Sequence, residues 1–274
     1  MKVAIVGCGY VGTTVAKNLR TKSDYTVTAT TTTRERVAQL EGIAHRVAVL
    51  KGNDKEAIAA LLPDQDAVML CVGAPNPDAY QESYLDTATT LVSVLKENPT
   101  VKQVIYTGTY SVYGDRQGAA VNEESPVAPA NRNSQILAET ERVLLAASSP
   151  NLNVCILRLG GIYGPGRELV KIFGRWAGTT RPGRGEDATN WVHLDDIVGG
   201  LIFALEHRLQ GVYNLVGDVP LSSSQLLDRI FEANNLPKAT WDGSPSVRPY
   251  NARVSNLKIK EAGYQFIHPE IREF

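Results

Sequence analysis

Cysteine is scarce in this chain, and the little there is excludes two classes. Cys8, Cys71 and Cys155 are odd in number and share no ligand-type spacing, so neither a disulfide framework nor a cysteine metal site is expected. Each lies in or beside an apolar run, where a thiol behaves as a small hydrophobe. A reducing compartment, the cytoplasm, is therefore the expected location. Charge of one sign is lacking too: 28 Lys and Arg stand against 29 Asp and Glu, for a net charge of -1. No basic stripe offers a nucleic-acid interface, and no like-charge block marks a disordered tail. Apolar runs long enough to span a membrane are missing, and the short run Val3-Ala4-Ile5-Val6 is too brief for a signal-peptide core. No Cys/His/Asp grouping in the sequence points to a metal. What remains is a soluble protein acting on a small molecule.

With 274 residues and 43% hydrophobic content, the chain can bury a large core. Strand-like runs are expected at 2–6, 25–30, 46–51, 67–72, 103–107 and 154–159, alternating with helical patterns at 11–20, 55–62, 84–98 and 135–147. In the first helix Val11, Val15, Ala16 and Leu19 make one apolar stripe. Such alternation, with unbroken apolar strands, predicts a parallel sheet covered by helices on both faces. Stretches rich in Gly, Pro and polar residues at 114–133, 160–167 and 179–187 read as long loops, which commonly carry function. Past residue 173 the alternation fails. Ser222 and Gln225 fit a capping box ahead of a helix to residue 234, and a short helix over 256–262 stops at Gly263. The expected division is a dinucleotide-binding part over 1–172 and a mixed part over 173–274, contributing a last strand and a small substrate-facing lobe.

The strongest motif is Gly7-Cys8-Gly9-Tyr10-Val11-Gly12, directly after the first strand and opening the first helix. At this spacing Gly7 permits the tight turn, Gly9 lets the backbone approach a diphosphate, and Gly12 lets helix and strand pack closely. The diphosphate then sits on the positive end of the helix. A nicotinamide cofactor follows. About twenty residues on, where an acid would hold a ribose 2′-hydroxyl, the chain has Thr30-Thr31-Thr32-Thr33-Arg34-Glu35-Arg36. Hydroxyls and a guanidinium suit a 2′-phosphate, so NADP is the expected cofactor and NAD the alternative. The same stretch also reads as a strand end running into a solvated helix start. Asn53 is either an adenine contact or a turn residue. The cofactor set is Gly7, Gly9, Tyr10, Val11 and Gly12 from the turn, with Thr31, Thr32, Arg34 and Asn53 beyond it. From the later strand ends it takes Val72, Gly73, Thr107 and Gly108.

At this point the chain resembles the extended short-chain dehydrogenase/reductases, in particular the NAD-dependent epimerase/dehydratase group. Besides the glycines, Tyr106-Thr107-Gly108-Thr109-Tyr110-Ser111-Val112-Tyr113-Gly114 is similar to that family's Ser-Ser-x-x-Val-Tyr-Gly segment. Arg158 through Gly166 resembles its Arg-x-x-Asn-Val-Tyr-Gly-Pro loop, and Val192-His193-Leu194-Asp195-Asp196 its His-Val-Asp-Asp segment. The resemblance covers nearly the whole chain. It implies an α/β, doubly wound Rossmann fold with a mainly parallel seven-stranded sheet, the cofactor across the strand C-termini and substrate between two lobes.

The resemblance also fails in one decisive place. The family's Ser/Thr position falls on Thr109, which would hydrogen-bond the reacting oxygen. Its Tyr-x-x-x-Lys pair falls on Asn131 and Gln135, and no tyrosine in the chain has a lysine four residues on. A free tyrosine, with pKa about 10, is roughly 0.1% ionised at neutral pH, and neither amide can exchange the proton in its place. Gln135 is left as a contact to the nicotinamide ribose, and Tyr113 becomes the candidate proton donor, with Tyr110 and Tyr163 as alternatives. Gly161 stands where the family has an Asn that helps hold a nucleotide-sugar diphosphate, which weakens a nucleotide-sugar substrate. His193 is expected to brace a loop. Arg167, Arg175, Arg181 and Arg184 suggest an anionic substrate or are simply solvated. The leading expectation is an NADP-dependent oxidoreductase or epimerase-like enzyme with a non-standard acid–base site, working as a homodimer. A non-catalytic NADP-binding sensor is the competing class, and a structural protein without cofactor the third.

Overall fold

The computed structural model describes residues 1–97 and 100–274. Seven strands form one sheet: β1 (Lys2–Val6), β2 (Thr26–Thr31), β3 (Arg46–Val49), β4 (Ala67–Leu70), β5 (Gln103–Thr109), β6 (Asn153–Leu159) and β7 (Gly211–Leu215). Their order is β7-β6-β5-β4-β1-β2-β3. β1 runs parallel to both β2 and β4, as β2 does to β3 and β4 to β5. The doubly wound order expected from the alternation is thus present, and it reverses between β1 and β4. In open sheets of this kind the reversal opens a crevice at the strands' carboxyl ends. Strands covered on both faces must be apolar on both faces, and Ala67–Leu70 is buried throughout.

Six helices matter below: α1 (Tyr10–Arg20), α2 (Lys55–Leu61), α3 (Thr87–Leu95), α4 (Arg132–Leu145), α5 (Leu194–Glu206) and α6 (Ser223–Ala233). In α1 the buried stripe is Gly12, Val15, Ala16 and Leu19, as the 3.6-residue spacing requires. The helix expected over 84–98 begins instead with a π-type stretch, Gln81–Asp86, before α3; Asn98 lies outside the described residues. The capping box forms as expected, with Ser222 and Gln225 each bonding the other's backbone N–H ahead of α6. The loop expected over 114–133 holds a strand, Asp115–Val121, paired with Asn251–Val254. Its polar, glycine-containing sequence gives no alternation to read, and its partner is 130 residues away.

Two compact units emerge from interleaved segments. The first comprises Met1–Gly108, Arg132–Leu157 and Val198–Val212; the second Thr109–Asn131, Arg158–Ile197 and Tyr213–Phe274. The boundary expected after residue 172 falls within a segment of the second unit. The chain leaves the first unit near the carboxyl ends of β5 and β6 and at the start of β7, and returns at α4 and within α5. The core of the first unit packs Val68, Leu70, Leu91, Val104, Tyr106 and Ile156 around the sheet. In the second, Leu226, Ile230 and Phe231 of α6 pack with Tyr163, Leu169 and Leu221.

Candidate functional site

The glycine turn belongs to the first unit, and its three glycines are small for different reasons. Gly7 has φ +94°, and a Cβ there would lie 2.8 Å from the Cys71 carbonyl oxygen. A Cβ on Gly12 would overlap the Gly7 carbonyl. Both are compelled by the protein's own packing. A Cβ on Gly9 would meet no atom within 4 Å, and the same holds for Gly73, just past β4. Gly9 is also the N-cap of α1, where no side chain caps the helix and no acid lies in the first turn. Uncapped N–H groups at a helix start are unsatisfied donors, and an anion is their natural partner. The turn thus leaves open space where Gly9 has no side chain, beside a helix start that no side chain caps.

At the tip of β2, Thr30 takes the Gly7 N–H on its hydroxyl at 3.0 Å. Thr31 is buried and turns its hydroxyl to the backbone N–H of Thr33. Thr32 and Arg34 are exposed. The residue that reaches the glycine turn is Arg36, which donates to the Cys8 carbonyl at 2.6 Å and to the Thr13 hydroxyl at 3.2 Å. The short helical turn Arg34–Arg36 swings the second arginine inward and leaves the first outside. The sequence alone points to Arg34; helical spacing within the turn is the only clue to Arg36. Asn53, half-buried past β3, donates to Glu82 at 3.4 Å, and Lys51 pairs with the same carboxylate at 2.9 Å. Thr107 returns its hydroxyl to the Leu70 carbonyl.

Gly108 is small for an internal reason: its Cβ would lie 2.8 Å from Oε1 of Glu141, a carboxylate 3% exposed on α4. Glu141 fixes which face of α4 turns inward, together with Ser134 and Leu137. Gln135 is exposed. Two residues further on, at the same spacing, stand Asn133 and the buried Leu137. In either register the Tyr–Lys pair is missing.

In the second unit Thr109 donates to the Ser111 hydroxyl at 3.2 Å and accepts the Ser111 backbone N–H, capping the turn Tyr110–Tyr113. Tyr113 is 0% exposed. Its hydroxyl donates to Asn214 Oδ1 at 2.8 Å, Asn214 is held in turn by the Ser255 carbonyl, and the Arg158 guanidinium lies 4.7 Å from its ring centre. Burial pushes its pKa up despite that cation. A packed, hydrogen-bonded tyrosine of this kind holds its turn in place. Tyr110, whose hydroxyl accepts from Arg248 at 3.2 Å, is likewise raised by burial, and Tyr163 is pushed up to about 12.

Gly161 now has a physical reason. A Cβ there would sit 2.8 Å from the indole of Trp191, so the aromatic ring fills the space a larger residue would use. His193 accepts the Asp195 backbone N–H at 3.2 Å and caps α5. It stacks 3.8 Å from His268, which bonds the Asp195 carboxylate at 3.1 Å. This trio is the one metal-like grouping among the described residues, and the sequence hid it because His268 is 73 residues from Asp195. Its Nδ1 lone pair is already taken by the cap. Of the four arginines, Arg175 and Arg181 share the ring of Trp176, Arg167 reaches the Ile162 carbonyl, and Arg184 is exposed.

Comparison with known proteins adds the following. The model of the family described as NAD dependent epimerase/dehydratase matches residues 3–216. Protein YeeZ of Escherichia coli (strain K12) is 35% identical over 221 residues, 78% of this chain and 77% of its own length. Epimerase family protein ML0860 of Mycobacterium leprae is 26% identical over 203 residues, 68% of this chain and 66% of its own. Among solved structures, UDP-glucuronic acid 4-epimerase from Bacillus cereus, in complex with UDP-glucuronic acid and NAD, superposes with a TM-score of 0.81. It is 19% identical and covers 99% of this chain and 95% of its own. At that identity the likeness speaks for the fold.

Proposed function

This chain belongs to the NAD dependent epimerase/dehydratase family, and on that premise we propose that it is an NADP-binding oxidoreductase or epimerase-like enzyme with a non-standard acid–base site. The observation that carries the cofactor half is the contrast among the glycines: Gly7 and Gly12 are confined by protein atoms, Gly9 by none. The group that needs the space at Gly9 is the diphosphate. The B. cereus neighbour carries NAD; for this chain the choice of NADP rests on the hydroxyls of Thr31 and Thr32 and on Arg36, a half-buried guanidinium already held at the turn. Arg34, exposed at the start of the same turn, would assist from outside. Tyr10, Val11 and Gly73 would flank the diphosphate, and Asn53 would meet the adenine. The cofactor would supply hydride chemistry. Thr109 would hydrogen-bond the reacting oxygen, and Tyr113 would serve by holding the turn that carries Thr109. A cytoplasmic location agrees with three buried thiols that form no disulfide, and among the described residues no helix is long and apolar enough to cross a membrane. The assembly proposed is a homodimer.

NADPH is expected to bind at least tenfold more tightly than NADH, about 1.4 kcal/mol. Parallel fluorescence titrations measure this, and equal affinities would remove NADP from the proposal. Arg36→Asp should erase the preference, because a carboxylate there repels a 2′-phosphate. The competing reading, a non-catalytic NADP sensor, is favoured by one observation: neither register of α4 offers a tyrosine and a lysine. A panel of carbonyl compounds decides between the two, since an enzyme oxidises NADPH with at least one of them.

A further inference from the structure

The second unit carries a cationic, aromatic wall that the cofactor half does not use. Phe173 lies 5.0 Å, centre to centre, from Trp176 and 5.5 Å from Trp191, tilted to the first and edge-on to the second. All three are half-buried. The Arg181 guanidinium sits 4.0 Å from the Trp176 ring centre, and Arg175 lies at 5.8 Å. Neither arginine side chain has an ion pair or hydrogen bond among the described residues. The acid nearest to Arg181 in the strand pairing, Asp242, is committed elsewhere: its Oδ1 accepts the N–H groups of Gly183 and Ser244 at 3.0 and 2.9 Å. Those bonds hold the Asp242 carboxyl below its ordinary range.

Two guanidinium groups thus lie beside one indole, neither in an ion pair among the described residues. Stacking on the ring holds a guanidinium flat and leaves its N–H fork free to take a carboxylate with two parallel bonds. The neighbouring aromatic rings offer faces and edges that favour a planar π-system over an aliphatic one. The wall also leaves little room for a diphosphate, because the Trp191 indole fills the space next to Gly161.

We propose that Arg181, Trp176, Phe173 and Trp191 form a binding site for a small planar carboxylate, an aromatic or conjugated acid, with Arg181 taking the carboxylate. This names a substrate class for the enzyme reading, but it rests on the second unit alone. All three tryptophans of the chain, Trp176, Trp191 and Trp241, pack on the same apolar cluster, so their indole N–H signals report directly on it.

The test is calorimetric titration of the full chain with trans-cinnamate, with the indole signals followed in ¹⁵N-tryptophan-labelled protein. Cinnamate should bind saturably and shift the Trp176 signal most. Neutral cinnamamide and non-planar cyclohexanecarboxylate should each bind about tenfold more weakly or worse, as a lost charge-assisted pair or a lost ring contact requires. Arg181→Gln should weaken cinnamate by a similar factor, while Arg181→Lys, keeping charge but not the fork, recovers part of it. Arg181 is half-exposed, so thermal unfolding of the variants should match the parent. Cinnamate binding unchanged in Arg181→Gln, or inorganic phosphate competing as well as cinnamate binds, would overturn the site. NADPH titrations run alongside separate the two proposals: loss of NADPH binding in the parent protein removes the cofactor reading and leaves this one standing.

Discussion

A methyl group added at Gly9 and one added at Gly12 should have opposite effects. At Gly9 nothing lies within 4 Å, whereas at Gly12 the Gly7 carbonyl is in the way. Gly9→Val should therefore fold with close to parental stability and lose NADPH and NADH together. Gly12→Ala should lose stability by about 1–3 kcal/mol, the usual cost of overpacking, as read from urea unfolding. A folded Gly9→Val protein that still binds NADPH would put the cofactor elsewhere. The same reasoning couples Gly161 to Trp191. Gly161→Ala should cost about 1–3 kcal/mol by itself, and adding Trp191→Leu should return part of that loss, a coupling of roughly 0.5–3 kcal/mol. Strict additivity in that cycle would mean the indole does not constrain residue 161. The sequence made the motif glycines legible as a set. It could not separate them, because the separation depends on Cys71 and Gly7 meeting where β4 ends beside β1. Glycine at 161 looked like a lost ligand group for the same reason: its cause is thirty residues away.

Among the elements, α5 shows how a cap can titrate. His193 caps its first turn and is buried, and that burial, helped by the neighbouring His268, lowers its pKa below the ordinary value. Asp195, Asp196 and Glu273 pull the other way without prevailing. A histidine whose folded pKa is depressed takes up its proton more readily when unfolded. Its contribution to stability is thus complete above about pH 6.5 and is lost as pH falls from there through the lowered folded value. Denaturant midpoints should decline between pH 7 and 5.5 in the parent and less so in His193→Asn, which keeps a capping acceptor but does not titrate. Equal slopes would assign the decline to other groups. The helices themselves were readable from spacing and caps, as α1 and α6 show. The strand Asp115–Val121 was not, since a polar strand paired across 130 residues has no local signature.

For the whole molecule, ligand binding and stability are linked. A cofactor held by the folded chain alone adds about 2.7 kcal/mol at one hundred times its dissociation constant. Melting temperature should therefore rise with NADPH, and rise less with NADH at the same concentration. Unfolding of the Gly9→Val variant should ignore both. The sheet order and the glycine turn were legible because they arise from consecutive segments. The cinnamate wall, the His193–His268 stack and the two-unit division join residues that only the fold brings together.

The interleaving of the two units has a consequence for how the protein is made. The chain crosses between them at 108/109, 131/132, 157/158, 197/198 and 212/213, so no contiguous stretch encodes either one. During synthesis at roughly 5–20 residues per second, residue 212 follows residue 108 by about 5–20 s. In the later part of that interval, once β6 has been made at residue 159, the edge that β7 will cover has no partner, and an uncovered edge pairs readily with another chain. The nascent protein is therefore most exposed to aggregation, and most in need of a chaperone, just before its seventh strand emerges.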